Sequence, residues 1–258
     1  MDPQEPGPAW MPWQGNGPAA DARRAWARKF GPLAPLVILL ANGKFLLTLF
    51  KLKFLLSLAT FVAFYWALYG IKFGIGFAVL ILVHETGHFI DIKRRGLPAD
   101  IPVFLPGFGA YVRWATLDVS VQTRAFISLA GLFAGCIGAA VCALLWVQTE
   151  DKFWLELASP SALLNVLNLI PVWVLDGGQA IGALDKSERI ALSVAAILLA
   201  AWFLQPVLLL DAAGAAYRVF TTDIPATPGR SVAVYYLLLL TALGYLGRLA
   251  PFTFPARP

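Results

Sequence analysis

GFAVLILVHETGHFIDI, Gly76 to Ile92, decides how the chain is read. It holds the only two histidines of 258 residues, His84 and His88, four apart in an otherwise apolar run. At 3.6 residues per turn the two lie one above the other on one helix face, with Glu85 about 100° round from His84. The pattern is HExxH, in which two imidazoles hold a zinc ion and the glutamate acts on water held by the metal. Ionisable residues are costly inside a membrane-length apolar segment, which marks these three as a functional-site candidate. A histidine pair satisfied by hydrogen bonds between helices is the other reading of the same residues.

The rest of the chain has the composition of a membrane domain. Hydrophobic residues make up 59%, charged residues 14%, and mean hydropathy is +0.71. An average soluble domain is about 25% charged. The expected fold class is an all-α polytopic membrane protein, with spans near 54–70, 73–90, 124–147, 153–175, 189–210 and 231–250, six in all. Residues 1–30 form a proline-rich and basic tail, 31–53 an interfacial segment interrupted by Pro32, Pro35 and Gly43, 54–250 the membrane domain, and 251–258 a C-terminal tail. No apolar core with a cleavage site precedes the first span, so that span is expected to direct insertion itself. Cys136 and Cys142 lie six apart in one apolar segment and read as helix packing.

Charge sets the orientation. Lys93, Arg94 and Arg95 follow the HExxH helix and mark its cytoplasmic end. With six alternating spans both termini are cytoplasmic, 16 of the 20 Lys and Arg fall inside, and Lys72, Lys152, Arg218 and Arg230 fall outside. The net charge of +5 is thereby explained by the bilayer, without a nucleic-acid partner. It follows that His84 and His88 lie at shallow depth near the cytoplasmic face, and the expected location is a bacterial inner membrane.

Leu97 to Ser120 is rich in proline, glycine and aromatics, and Val103–Leu105 and Ala110–Trp114 read as two short strands about PGFG. Apolar non-helical backbone at membrane depth needs protein or a water-lined cavity beside it, so the segment is either a re-entrant β-hairpin-like loop over the site or a surface hairpin. Gly131, Gly135 and Gly138 in the third span let a neighbouring helix come close, with helix packing as their first use and site architecture as their second.

A catalytic zinc ordinarily has three protein ligands and one open position. With no third histidine, the remaining ligand has to be Asp or Glu near the cytoplasmic end of a span, and Asp176 in NLIPVWVLDGGQ, Asn168 to Gln179, stands there between the helix-breaking Pro171 and the glycines Gly177 and Gly178. Asp91, Asp100 and Asp118 rank below it because they lack that setting. Asn165 reads first as an amide bonding another helix and second as an oxyanion donor.

HETGH at His84 to His88 and NLIPVWVLDGG at Asn168 to Gly178 together resemble the site-2 protease family of intramembrane zinc metalloproteases, over a core of roughly 54–182. The resemblance implies that His84, His88 and Asp176 bind one Zn2+ per chain, that Glu85 is the catalytic base, and that Asn168 helps hold the substrate carbonyl or its oxyanion. It also implies that GFGAYVRW, with Gly109, Ala110, Tyr111 and Val112, receives a transmembrane protein substrate in extended form. Leu132 stands where the family often has a proline, and substrate selection by an appended soluble PDZ or CBS domain is not expected. The expected function is an endopeptidase cutting transmembrane segments near the cytoplasmic face. Its rivals are a noncatalytic protein of the same fold with a structural zinc that binds transmembrane partners, and a metal-ion transporter, which would need relays on several spans.

Overall fold

The computed structural model describes residues 43–98, 103–105, 109–111, 119–225 and 227–250. The tails expected at 1–30 and 251–258 lie outside the described residues. The chain forms two compact units, Met1–Leu52 and Lys53–Pro258, and of the first only the helical backbone from Gly43 is described.

The helices are α1 (Gly43–Tyr69), α2 (Ile71–Arg94), α3 (Val121–Thr149), α4 (Lys152–Leu169), α5 (Asp176–Ala180), α6 (Lys186–Phe203), α7 (Leu208–Val219) and α8 (Arg230–Leu249), with a 3-10 turn at Ile181–Ala183 after α5. Two strands, β1 (Val103–Leu105) and β2 (Gly109–Tyr111), pair antiparallel with Val103 opposite Tyr111. Gly70, at a φ of 88° that glycine alone adopts without strain, turns the chain between α1 and α2 in a single residue. Aromatic rings in stacked, tilted and edge-on contact, among them Phe61, Tyr65, Tyr69, Phe73 and Phe77, then zip the two helices together. Phe104 of β1 is buried edge-on against Phe54 and Phe61.

Among the described residues four helical stretches are long and apolar enough to cross a membrane: Leu52–Tyr69, Ile71–Arg94, Val121–Thr149 and Arg230–Leu249. About half of the α2 and α3 windows is buried within the protein, against 6% for α1, so α2 and α3 form the centre and α1 shows most of its surface outward. Large apolar side chains such as Leu56, Leu144, Leu198 and Leu238 stand exposed around the outside, the arrangement expected of a lipid-facing surface.

Two of the six expected spans differ from their sequence reading. The stretch 153–175 is helical only to Leu169, because Pro171 cannot continue the hydrogen-bond ladder. The stretch 189–210 is two helices: Leu204 takes a left-handed conformation (φ 56°) before Gln205 and Pro206, and α7 then runs back along α6. Arg189 near the start of α6 bonds the Arg218 carbonyl and the Asp223 carboxylate just beyond α7. The Glu188 carboxylate accepts from Gly229 N–H at the start of α8. Arg218 and Arg230 therefore lie at the same end of the bundle as Arg189, not at the opposite face as alternation over six spans requires. Arg248, in contrast, bonds the Trp202 carbonyl at the far end of α6, so the C-terminal end of α8 is opposite the end that carries Arg189.

Candidate metal centre

The HExxH residues sit within the last three turns of α2, which packs antiparallel on α3 and parallel to α4. His84, Glu85 and His88 are all buried, at 5%, 3% and 8% exposure. Each histidine is held from behind by a different helix. His84 Nδ1 lies 2.9 Å from Asn165 Oδ1 in α4, and His88 Nδ1 lies 2.9 Å from the Ile127 carbonyl in α3. The Asn165 amide nitrogen donates to the Ser161 carbonyl at 2.8 Å, which leaves its oxygen to accept from His84.

Asp176 comes from the break after α4. The chain turns through Trp173, at a positive φ of 50°, and starts α5 at the aspartate. The fold of this turn depends on its two glycines. A Cβ at position 177 would fall 1.6 Å from the Leu169 carbonyl oxygen, and one at 178 would fall 2.5 Å from that of Val172. Asp176 Oδ2 arrives 3.2 Å from His84 Nε2 and 3.3 Å from His88 Nε2, and the two Nε2 atoms are 3.1 Å apart.

This triangle fits a metal on two counts. Ligand bonds of about 2.0–2.1 Å at tetrahedral angles place ligand atoms about 3.3 Å apart, close to all three edges. The donor chemistry agrees: both Nδ1 atoms face oxygen acceptors and so carry the ring protons of neutral imidazoles, which turns two Nε2 lone pairs and a carboxylate oxygen toward one point. A cation there removes the repulsion among them. Pinning the far nitrogen of a ligating histidine to a carbonyl is also how metal sites fix ring orientation. Beside them, Glu85 Oε2 is buried without a hydrogen-bond partner.

The three candidate ligands are thus together, from α2 and α5. Asn168 lies half-buried in the last turn of α4, and no hydrogen bond among the described residues joins it to the histidines or Asp176. Gly109, Ala110 and Tyr111 form β2, while Val112 lies outside the described residues. Of the rival acids, Asp91 is paired with Arg95 at 2.8 Å, and Asp100 and Asp118 lie outside the described residues. Two features exceed their sequence reading. Asn165 does bond another helix, but its partner is a candidate ligand. Gly131 and Gly135 serve the site before they serve packing: a Cβ at 131 would fall 2.1 Å from His88 Nε2, and one at 135 would fall 2.1 Å from Asn165 Oδ1. Their i, i+4 spacing was the available signal. Leu132 is fully buried within an uninterrupted α3.

The chain is 27% identical over 187 residues to the "Probable zinc metalloprotease EGY1, chloroplastic" of Arabidopsis thaliana, in an alignment covering 64% of this chain and 32% of that protein. The chain thus spans about a third of the length of the curated relative it matches. No family model and no solved structure matches it. In this chain His84, His88 and Asp176 form a group that could hold a metal ion.

Proposed function

We propose that the chain is an intramembrane zinc metalloendopeptidase of the site-2 protease type, which cleaves transmembrane segments of protein substrates close to the cytoplasmic face. One observation carries this reading: three metal-type donors converge from two helices, inside an apolar bundle, beside a buried carboxylate with a free oxygen. A structural site has no use for that free base, and no second cluster of three metal-type donors, as a transit path through several helices needs, is found among the described residues.

Zinc held there supplies Lewis-acid polarisation of water and of the substrate carbonyl. The protein residues do the rest. Asn165 and the Ile127 carbonyl keep the imidazoles turned inward. Glu85 takes the proton from the attacking water and hands it to the departing amine. Asn168 is assigned the developing oxyanion, a contribution of roughly 3 kcal/mol for a well-aimed donor. A substrate helix hides its carbonyls in its own hydrogen bonds, so the segment to be cut must unwind, and pairing with the edge of the β1–β2 ribbon at Gly109 to Tyr111 replaces the bonds it loses. The ribbon is then a re-entrant element on the approach to the site.

In this reading α1, α2, α3, α4, α6 and α8 cross the bilayer and α7 returns the chain to the site end. The site end faces the cytoplasm, as the run Lys93 to Arg95 demands, and the C-terminal end of α8 faces the other side. A bacterial inner membrane is the proposed location. The test is cleavage of a tagged transmembrane reporter in reconstituted vesicles by wild type and Glu85→Gln. The reading requires that Glu85→Gln keep its zinc and lose cleavage by at least a thousandfold; cleavage at the wild-type rate would refute the assigned base.

A further inference from the structure

At the site end, on the far side of the α5 turn, a cavity of about 520 Å³ opens between the start of α3, the turn that follows Asp176, and the segment joining α7 to α8. Arg124, Arg218, Asp223, Gly178, Gln179 and Gly182 line it. Its charges do not balance. Arg218 and the fully buried Arg189 both lean on the single carboxylate of Asp223. Among the described residues Arg124 has one hydrogen bond, a 3.4 Å contact from Nη2 to the Val119 carbonyl. The Nε of Arg124 and the Nε of Arg218 are both buried without an acceptor. The two guanidinium groups that line the cavity, those of Arg124 and Arg218, thus meet one lining carboxylate, which Arg189 also holds, and buried cationic donors left without partners call for an anion. Gly182 leaves the wall low: a Cβ there would meet only Val121, at 3.6 Å.

We propose that this cavity binds a phosphate group, supplied by the headgroup of an anionic phospholipid. Guanidinium forks match phosphate oxygens two at a time. A basic pocket between helices on the cytoplasmic side of a membrane domain is where such headgroups are met. A phosphate here would also bridge α3 to the chain that follows α7, on either side of the turn that presents Asp176. The inference rests on the bundle and its orientation, and stands whether or not the metal centre cuts peptide bonds.

The experiment is native mass spectrometry of detergent-purified full-length chain, titrated with phosphatidylglycerol or with phosphatidylcholine of the same acyl chains, with and without millimolar inorganic phosphate. Wild type should retain one phosphatidylglycerol at least tenfold better than phosphatidylcholine. Arg124→Gln should remove the preference, and so should Gly182→Leu, which fills the cavity and leaves every charge in place. Zinc content and melting temperature report that each variant is folded. Displacement of the lipid by inorganic phosphate, lost in the same two variants, would show that the site takes free phosphate as well and would support the assignment. Equal retention of the two lipids, or a preference that both folded variants keep, would overturn it.

Discussion

His84 and Asn165, 81 positions apart in sequence, are joined by a 2.9 Å hydrogen bond between Nδ1 and Oδ1. Because the amide nitrogen is committed to Ser161, the bond fixes the histidine with its proton on Nδ1 and its Nε2 free for a metal. Replacing Asn165 with leucine should weaken zinc binding about 10–100-fold, the usual cost of losing such a partner. Chelator competition on the purified protein measures this, and an affinity equal to wild type would mean that the bond does not orient the ring.

A second prediction concerns the glycines of α3. Gly131→Ala puts a methyl group 2.1 Å from His88 Nε2, whereas Gly138→Ala meets the end of the Leu80 side chain at 3.1 Å, where a flexible group can yield. The first should lose zinc while the second binds it normally. Equal zinc content in the two variants would show that α2 and α3 can separate without harm to the site.

How much of this was legible in sequence depends on the kind of contact. His84, Glu85 and His88 were readable because helical periodicity alone brings them together, and Asp176 because Pro171, Gly177 and Gly178 announce a built turn. The pairings of Asn165 with His84 and of Gly131 with His88 were not, since they depend on the register between helices, which the chain does not state locally. The parity error has a local cause. Pro206 was visible, but the apolar residues on both sides of it read as one span, and Leu204, an apolar residue in place of the usual glycine, gives no sign of the left-handed turn that splits them.

Arg189 ties the start of α6 to the chain after α7. Its guanidinium bonds the carbonyls of Leu184, Arg218 and Asp223, together with the side chains of Thr221 and Asp223. Arg189→Met takes the donor from the Leu184 and Asp223 carbonyls, while the half-exposed Asp223 carboxylate keeps Arg218 and Thr221, at a cost of about 1–3 kcal/mol. Denaturant titration in mixed micelles should show that loss, and a change below about 0.5 kcal/mol, within the range of ordinary surface substitutions, would contradict the packing described.

Asp185 caps α6, accepting from Glu188 N–H at 2.8 Å while the Glu188 carboxylate accepts from Asp185 N–H at 2.9 Å. The backbone N–H of Glu188, together with the Ser187 hydroxyl, holds the Asp185 carboxyl below its ordinary range. A carboxyl depressed in the folded protein adds stability above its unfolded pKa and loses it as pH falls through the folded value. Asp185→Ala should therefore cost about 1 kcal/mol at neutral pH, with the gap from wild type closing as pH falls below about 4. Thermal melts across that range check the sign, and a gap that widened on acidification would refute it.

The central claim is that His84, His88 and Asp176 hold one zinc, with Glu85 beside it as an unliganded base. Metal content per chain, measured by elemental mass spectrometry on detergent-purified wild type, Asp176→Ala and Glu85→Gln, tests it most directly. The account predicts about one zinc in wild type and in Glu85→Gln, and a marked loss in Asp176→Ala, as three protein ligands and a free base require. A folded wild type without zinc, or an Asp176→Ala variant that binds it as tightly, would contradict the account.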